Sequence, residues 1–289
     1  MANFYDLKNR INSTKNTGQV TKALQIVGAS KQKKTQDNLK NSRFLRNGLK
    51  STMQKIANDL AKSVTPIDLP KFFNENTESN KVLIINVMSS RGLCGGLNSK
   101  LFYKILKLKA KVESEGKKVD FISVNKISQK FLRNFNESII AFFGEITQSP
   151  DLEEIRALIN MVKTEYSNYS KVYLAYSDFI KTGIYEPKIM QLLPINFEAK
   201  EQRNTPLTAQ YLIEPNPLMV IERLANFYID LELYEAILSN IASENTARMI
   251  SMKKATDNIK SLVDGLTLKL NKERQAKITQ QVAEISANL

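Results

Sequence analysis

The sequence predicts a mixed α/β fold in which the two ends of the chain pair as a long antiparallel coiled coil, with an α/β domain inserted between them. Three observations carry this expectation. All eight prolines of the 289 residues fall from Pro66 to Pro217, which leaves both ends free to run as uninterrupted helices. From Ile221 to Leu270 a heptad register is apolar at twelve of fifteen places, interrupted only at Glu235, Asn245 and Thr256. Between the prolines the period changes, and short apolar runs rich in β-branched and aromatic residues alternate with helical stretches.

The C-terminal helix follows from that seam. A helix over 218–289 rises about 1.5 Å per residue and reaches on the order of 100 Å, well beyond the radius of a compact domain of this size. It must project. The N-terminal segment permits a helix too, but its middle is small and polar, at Gly18, Thr21, Gly28, Ala29 and Ser30. Such a stretch reads either as a solvated face or as a surface that lets a second backbone come close. Two long helices at opposite ends of one chain pair most simply in antiparallel fashion.

In the middle, strands are expected at 81–88, 119–124, 139–143, 171–176 and 187–193, with helices near 99–115, 127–135 and 152–168. Their alternation implies a Rossmann-like α/β domain with a mostly parallel sheet. The expected parts are therefore 1–65 and 218–289 as coiled-coil helices and 66–217 as the globular domain.

Composition excludes several classes of function. The chain has no histidine and a single cysteine, Cys94, so Ser-His, Cys-His and His-metal centres cannot be built within it, and neither can an internal disulfide. With no signal-like opening, a reducing compartment is expected. Apolar runs such as 82–87 are far short of the ~20 residues that cross a bilayer, so membrane association should be peripheral. The net charge is +13, and its placement is uneven. Residues 1–62 hold ten Lys and three Arg against three Asp, whereas 218–289 balance nine basic against nine acidic residues. A positive field on one terminal segment attracts nucleic acid, anionic lipid or a carboxylate-rich protein. Phe4, Tyr5 and Phe44 are the only aromatics of the basic segment. They offer little for base stacking, which favours a protein partner over a nucleic-acid-binding coiled coil, the alternative reading.

The loop from Ser89 to Asn98 follows the first strand, where a phosphate-binding turn would sit. Neither a Walker A run nor G-x-G-x-x-G occurs anywhere in the sequence, so a tight turn is the expected role. Cys94 reads as a packed residue, and the acidic groups near Asp151 and Glu154 read as helix-start residues. No catalytic residue, metal site or cofactor is expected.

Four blocks in order resemble one family. They are Lys15-Asn16-Thr17 with Val20-Thr21-Lys22-Ala23-Leu24, Val27 and Lys31; Arg91 through Asn98; Gln191-Leu192-Leu193-Pro194; and a C-terminal stretch. That stretch carries Ser243-Glu244, Ala247-Arg248-Met249, Ala255-Thr256-Asp257-Asn258, Arg274-Gln275 and Ile278-Thr279-Gln280. Together they are similar to the gamma subunits of F-type ATP synthases. Gln281 and Ser286-Ala287-Asn288 depart from the family ending, and Ser90 stands where Asp is frequent. The resemblance implies a non-catalytic rotor shaft. Its partners would be the alternating catalytic and noncatalytic subunits of a hexamer, an epsilon subunit and a membrane rotor ring, at the cytoplasmic face of a bacterial plasma membrane. It further implies partner contacts through Lys22, Leu24, Lys31, Lys33 and Lys34 on the first helix and through Arg248, Arg274, Gln275 and Thr279 on the last.

Overall fold

The computed structural model describes residues 2–61, 70–196, 214 and 216–287. The expected boundary between 65 and 66, and Asn288 of the departing ending, lie outside them. The elements run α1 (Ala2–Ala61), β1 (Lys81–Val87), α2 (Leu97–Ser114), β2 (Lys118–Val124), α3 (Lys126–Asn134), β3 (Ile139–Phe143), α4 (Arg156–Glu165), β4 (Lys171–Lys181), β5 (Ile184–Leu193) and α5 (Pro217–Ala287).

The strands form one sheet in the order β3-β2-β1-β4-β5, parallel except for the antiparallel β4–β5 hairpin. Gly183, at φ +89°, turns that hairpin in a conformation that favours glycine. β4 and β5 extend beyond the expected strands because their shared end reaches past the sheet to the helical pair, where Phe179 packs with Leu39 and Leu238. Apolar residues alternate to the two faces of β1, and both faces are covered. Leu83, Ile85 and Val87 meet Leu158 and Val162 of α4 and Ile229, Leu233 and Ile237 of α5. Val82 and Ile84 meet Leu101, Ile105 and Leu132 of α2 and α3 on the other side. Burial on both faces is why β1 reads as an unbroken apolar run.

α5 is one continuous helix of 71 residues, and its middle is wrapped by α1 on one side and by the sheet on the other. Past Leu270 almost every side chain is exposed. The heptad seam read from the sequence is therefore real, and it ends where the pairing ends. α1 has a matching seam at Phe4, Leu7, Ile11, Thr14, Gly18, Thr21, Gln25, Gly28, Gln32, Thr35, Leu39, Ser42, Arg46, Leu49, Met53 and Ile56, all buried or half-buried at strict 3-4 spacing. Sequence inspection missed it because most of its central members are small or polar.

Candidate partner interface on the helical shaft

The pairing of α1 and α5 is set by close approach and by polar pins. A Cβ placed on Gly18 would lie 3.0 Å from Cγ2 of Ile259, and one on Gly28 would lie 3.3 Å from the backbone oxygen of Asn245. Close packing is thus the correct reading for Gly18, Thr21 and Gly28, whereas Ala29 and Ser30 lie on the exposed face. Between the glycines the hydroxyls of Thr21 and Thr256 are 2.9 Å apart, and the buried amide of Gln32 donates to Thr246 at 2.8 Å. Gly28→Leu is expected to destabilise the chain by about 1 to 3 kcal/mol, because a rigid backbone faces the added atoms. Gly48 has nothing within 4 Å of an added Cβ. Gly48→Leu should stabilise by about 0.5 to 1 kcal/mol through helix propensity, and thermal unfolding of the two variants tests the contrast.

Around this seam lie the expected contact residues. Lys22, Lys31, Lys33 and Lys34 are exposed and Leu24 is half-buried. A groove of about 660 Å³ runs between the helices, lined by Gly18, Lys22, Ile26, Ile259 and Lys260 among others. Val20 and Ile26 stand 59% and 58% exposed beside the lysines. At the far end Arg274, Gln275 and Thr279 are exposed on a helix that has left its partner, and Thr279 Oγ1 donates to the Gln275 carbonyl at 3.0 Å. Ile278, Val282 and Ile285 form an exposed apolar stripe there, on a face that sequence reasoning did not single out.

The whole of this architecture recurs in known proteins. The family model for ATP synthase matches residues 3–288. The chain is 35% identical to the ATP synthase gamma chain of Stenotrophomonas maltophilia over 99% of its own length and 98% of that protein. It belongs to the ATP synthase gamma-chain family. A gamma chain of Nitrosococcus oceani is 33% identical over the same shares of the two chains. Among solved structures, a chain of the Euglena gracilis mitochondrial ATP synthase aligns with a TM-score of 0.68 at 17% identity, covering 99% of this chain and 93% of that one. A chain from the central stalk and c-ring of the Tetrahymena thermophila enzyme aligns at 0.61 and 23% identity, covering 82% and 99%. As a gamma chain, the protein is a non-catalytic subunit of the central stalk.

The sheet of this gamma chain has the crevice where doubly wound folds bind ligands, at the carboxyl ends of the strands flanking the switch between β1 and β4. Its own α5 fills it. Asn240 Nδ2 donates to the Met88 carbonyl at 3.0 Å, the hydroxyl of Ser243 donates to the Ser177 carbonyl at 2.9 Å, and Ser239 Oγ accepts from the Phe179 amide at 2.8 Å. The buried carboxylate of Glu244 accepts from the Ser90 amide at 2.9 Å and from the Ser90 hydroxyl at 3.2 Å. A phosphate would need the same donors. Asp at position 90 would set a second carboxylate against Glu244, which gives Ser90 a local reason.

Arg248 is committed to this same loop. Its guanidinium donates to Glu244 at 2.6 Å and to the Gly92 carbonyl at 3.2 Å, and the side chain is only 12% exposed. Of the nine expected contact residues, Arg248 and Leu24 are the two that are not fully exposed. Cys94 packs with Leu97 and Ala247, and burial pushes its thiol up, away from the reactive thiolate. Because donors and space at the crevice are taken, the purified chain is expected to give no magnesium-ATP heat in calorimetry. A stoichiometric micromolar site would overturn that expectation.

Proposed function

We propose that this gamma chain is the rotating shaft of a proton-translocating ATP synthase, with 1–65 and 218–289 as the shaft and 66–217 as the globular foot. The observation that carries the reading is α5 outrunning α1 as a lone helix with exposed apolar and polar contact groups, a form suited to turning inside a sleeve of other subunits. Catalytic and noncatalytic subunits would surround the shaft. An epsilon subunit and the membrane ring would meet the foot at the cytoplasmic face of a bacterial membrane. None of the described helices is long and apolar enough to cross a bilayer, which fits association through the complex.

The shaft has no rotational symmetry of its own, since α1 is basic and polar outside while α5 carries the sheet on its far side. Each of three equal catalytic subunits would then face a different surface, and differential contact holds each in a different conformation and nucleotide affinity. Turning the shaft exchanges those states, which couples ion flow to ATP synthesis or hydrolysis.

Affinity purification from native membranes should bring down the catalytic and noncatalytic subunits with the ring, and their absence would sink the assignment. Lys22, Lys31, Lys33 and Lys34 test the acidic contact. Single reversals to Glu should be close to silent, as exposed pairs are individually weak. Reversing all four should lower ATP-driven pumping several-fold at low salt and less at high salt. An unaffected enzyme at both salts would count against the contact.

A further inference from the structure

Where α1 passes the end of β4, eight side chains from four elements form a charge cluster. Glu232 and Glu235 of α5 have side chains only 2% and 3% exposed, and Arg46 of α1 lies against both, with Nη1 3.3 Å from Glu232 and Nε 2.8 Å from Glu235. Arg43, one turn earlier, reaches Glu235 at 3.3 Å, pairs with Asp178 of β4 and donates to the Phe179 carbonyl at 2.8 Å. Tyr228 donates to Glu232 at 2.6 Å, Ser239 donates to Asp178 at 2.8 Å, and Lys188 of β5 approaches Asp178 at 3.4 Å. Three carboxylates thus face three cations.

We propose that Arg43 and Arg46 are positioning residues that fix the axial register of α1 against α5 and the sheet. The glycine approaches and the Thr21–Thr256 and Gln32–Thr246 contacts favour that register, and the charge cluster adds the contacts whose loss leaves buried charge behind. α5 is bound to the sheet by a large apolar core, but the upper seam of α1 runs through Gly18, Thr21, Gln25, Gly28, Gln32 and Thr35. Small side chains such as these let the backbones approach closely, and a shift by one heptad would set Ile11 or Gln25 where Gly18 meets Ile259 and Thr21 or Thr35 where Gly28 meets Asn245. The charge cluster does not permit that shift. Sliding α1 by seven residues would bring Arg46 opposite Ala225 and Tyr228, which leaves neither Glu232 nor Glu235 a cation, or opposite Ser239 and Ala242, which sets Lys50 in the place of Arg43 and still leaves Glu232 without one. A buried charge that is satisfied in one register alone specifies that register. The two arginines therefore also determine the height at which the basic outer face of α1 stands relative to the lone tip of α5.

The test traps the register directly in the full chain. The hydroxyls of Thr21 and Thr256 lie 2.9 Å apart, so Thr21→Cys with Thr256→Cys reports the native register. Thr21→Cys with Met249→Cys or with Val263→Cys reports a slip of one heptad either way. With the cluster intact, mild oxidation should close the native pair and neither slipped pair. Arg43→Met, Arg46→Met, Glu232→Gln and Glu235→Met together replace the cluster with largely apolar groups and keep the chain folded, as its melting temperature would report. In that background the native pair should lose several-fold in yield and the slipped pairs should appear. Arg46→Lys retains charge without the planar fork and should fall between the two. Selectivity equal to that of the intact cluster in either background would overturn the proposal.

The consequence for coupling rests on the rotor reading and is measured apart from the register. In reconstituted vesicles the four-substitution chain should pump fewer ions per ATP hydrolysed. A spread register with unchanged pumping per ATP would overturn the rotor reading and leave the register assignment standing, whereas an unchanged register overturns the assignment whatever the pumping.

Discussion

Arg46→Met should destabilise the free chain by about 3 to 5 kcal/mol at neutral pH, and acid should relieve much of that loss. The size comes from what is left behind. Glu232 and Glu235 stay buried, and the nearest remaining cation, Arg43, reaches Glu235 but is shared with Asp178. Glu235→Gln should cost about 1 kcal/mol or less, because Arg46 keeps Glu232 and Arg43 keeps Asp178. Burial holds the Glu235 carboxyl above its ordinary range, with the neighbouring Glu232 charge adding to that and the two arginines opposing it. Burial alone would lower the Arg46 pKa, yet attraction by Glu232 and Glu235 outweighs it and leaves it raised.

The sign of the pH effect follows from these shifts. An acid whose folded pKa lies above its unfolded value holds a proton that the unfolded chain releases, so its stabilisation is complete below the unfolded pKa. It is lost as pH rises through the folded pKa. Removing Arg46 raises the folded value of Glu235 further and widens that window upward. Arg46→Met should therefore gain stability relative to the unmodified chain as pH falls from neutral toward the ordinary carboxylate range. Asp178 and Glu232 are carboxylates of the same cluster, so Arg46→Met with Glu235→Gln isolates the Glu235 part. Denaturant unfolding at several pH values measures all three chains, and a loss independent of pH would contradict the account.

The same cluster shows what the sequence could and could not reveal. The seam of α5 was legible because its places are apolar, and its three interruptions turn out to be informative. Glu235 meets Arg43 and Arg46, Thr256 meets Thr21, and the backbone of Asn245 is what Gly28 approaches. A polar residue at a seam position signals a polar partner across the pair, but naming that partner needs the register. Register was not readable, since α1 offers few apolar residues along the middle of its seam to align. The strands of the sheet were readable within a few residues because β1 and β2 are buried on both faces. Their relation to α5 was not, because Ser239, Asn240, Ser243 and Glu244 look like the polar face of a helix until a sheet end is placed against them. The inward pairing of Arg248 was hidden for the same reason. An arginine in a family motif suggests an outside partner, and its carboxylate lies four residues away on its own helix.

At the tip, Ile278→Glu with Val282→Glu should lower both ATP hydrolysis and ATP-driven pumping of the assembled enzyme by about tenfold or more, while leaving the melting of the free chain unchanged. The two residues are 52% and 57% exposed in the chain alone, so their charges cost nothing there. Burying each apolar side chain in a sleeve is worth about 1.5 to 3 kcal/mol, and about 1.4 kcal/mol corresponds to a tenfold change in rate. Ile278, Val282 and Ile285 share one face of the helix, turned from the seam of Val263, Leu266 and Leu270 by roughly a quarter of a turn at about 100° per residue. The stripe is therefore not a continuation of the seam that pairs with α1. Gln275 lies in line with the stripe, and Thr279 stands one turn beyond it with its hydroxyl returned to its own backbone. Replacing Gln275 and Thr279 together with large apolar residues should also impair turnover, because a close-fitting sleeve tolerates added bulk poorly. Losing either polar group singly should slow the enzyme without stopping it. Hydrogen exchange separates the sleeve from a general loss of fold. Amides beyond Leu270 should exchange rapidly in the free chain, where a lone helix of this length is marginal, and slowly in the complex. Rapid exchange in both states, together with full activity of the double glutamate variant, would remove the tip from any bearing.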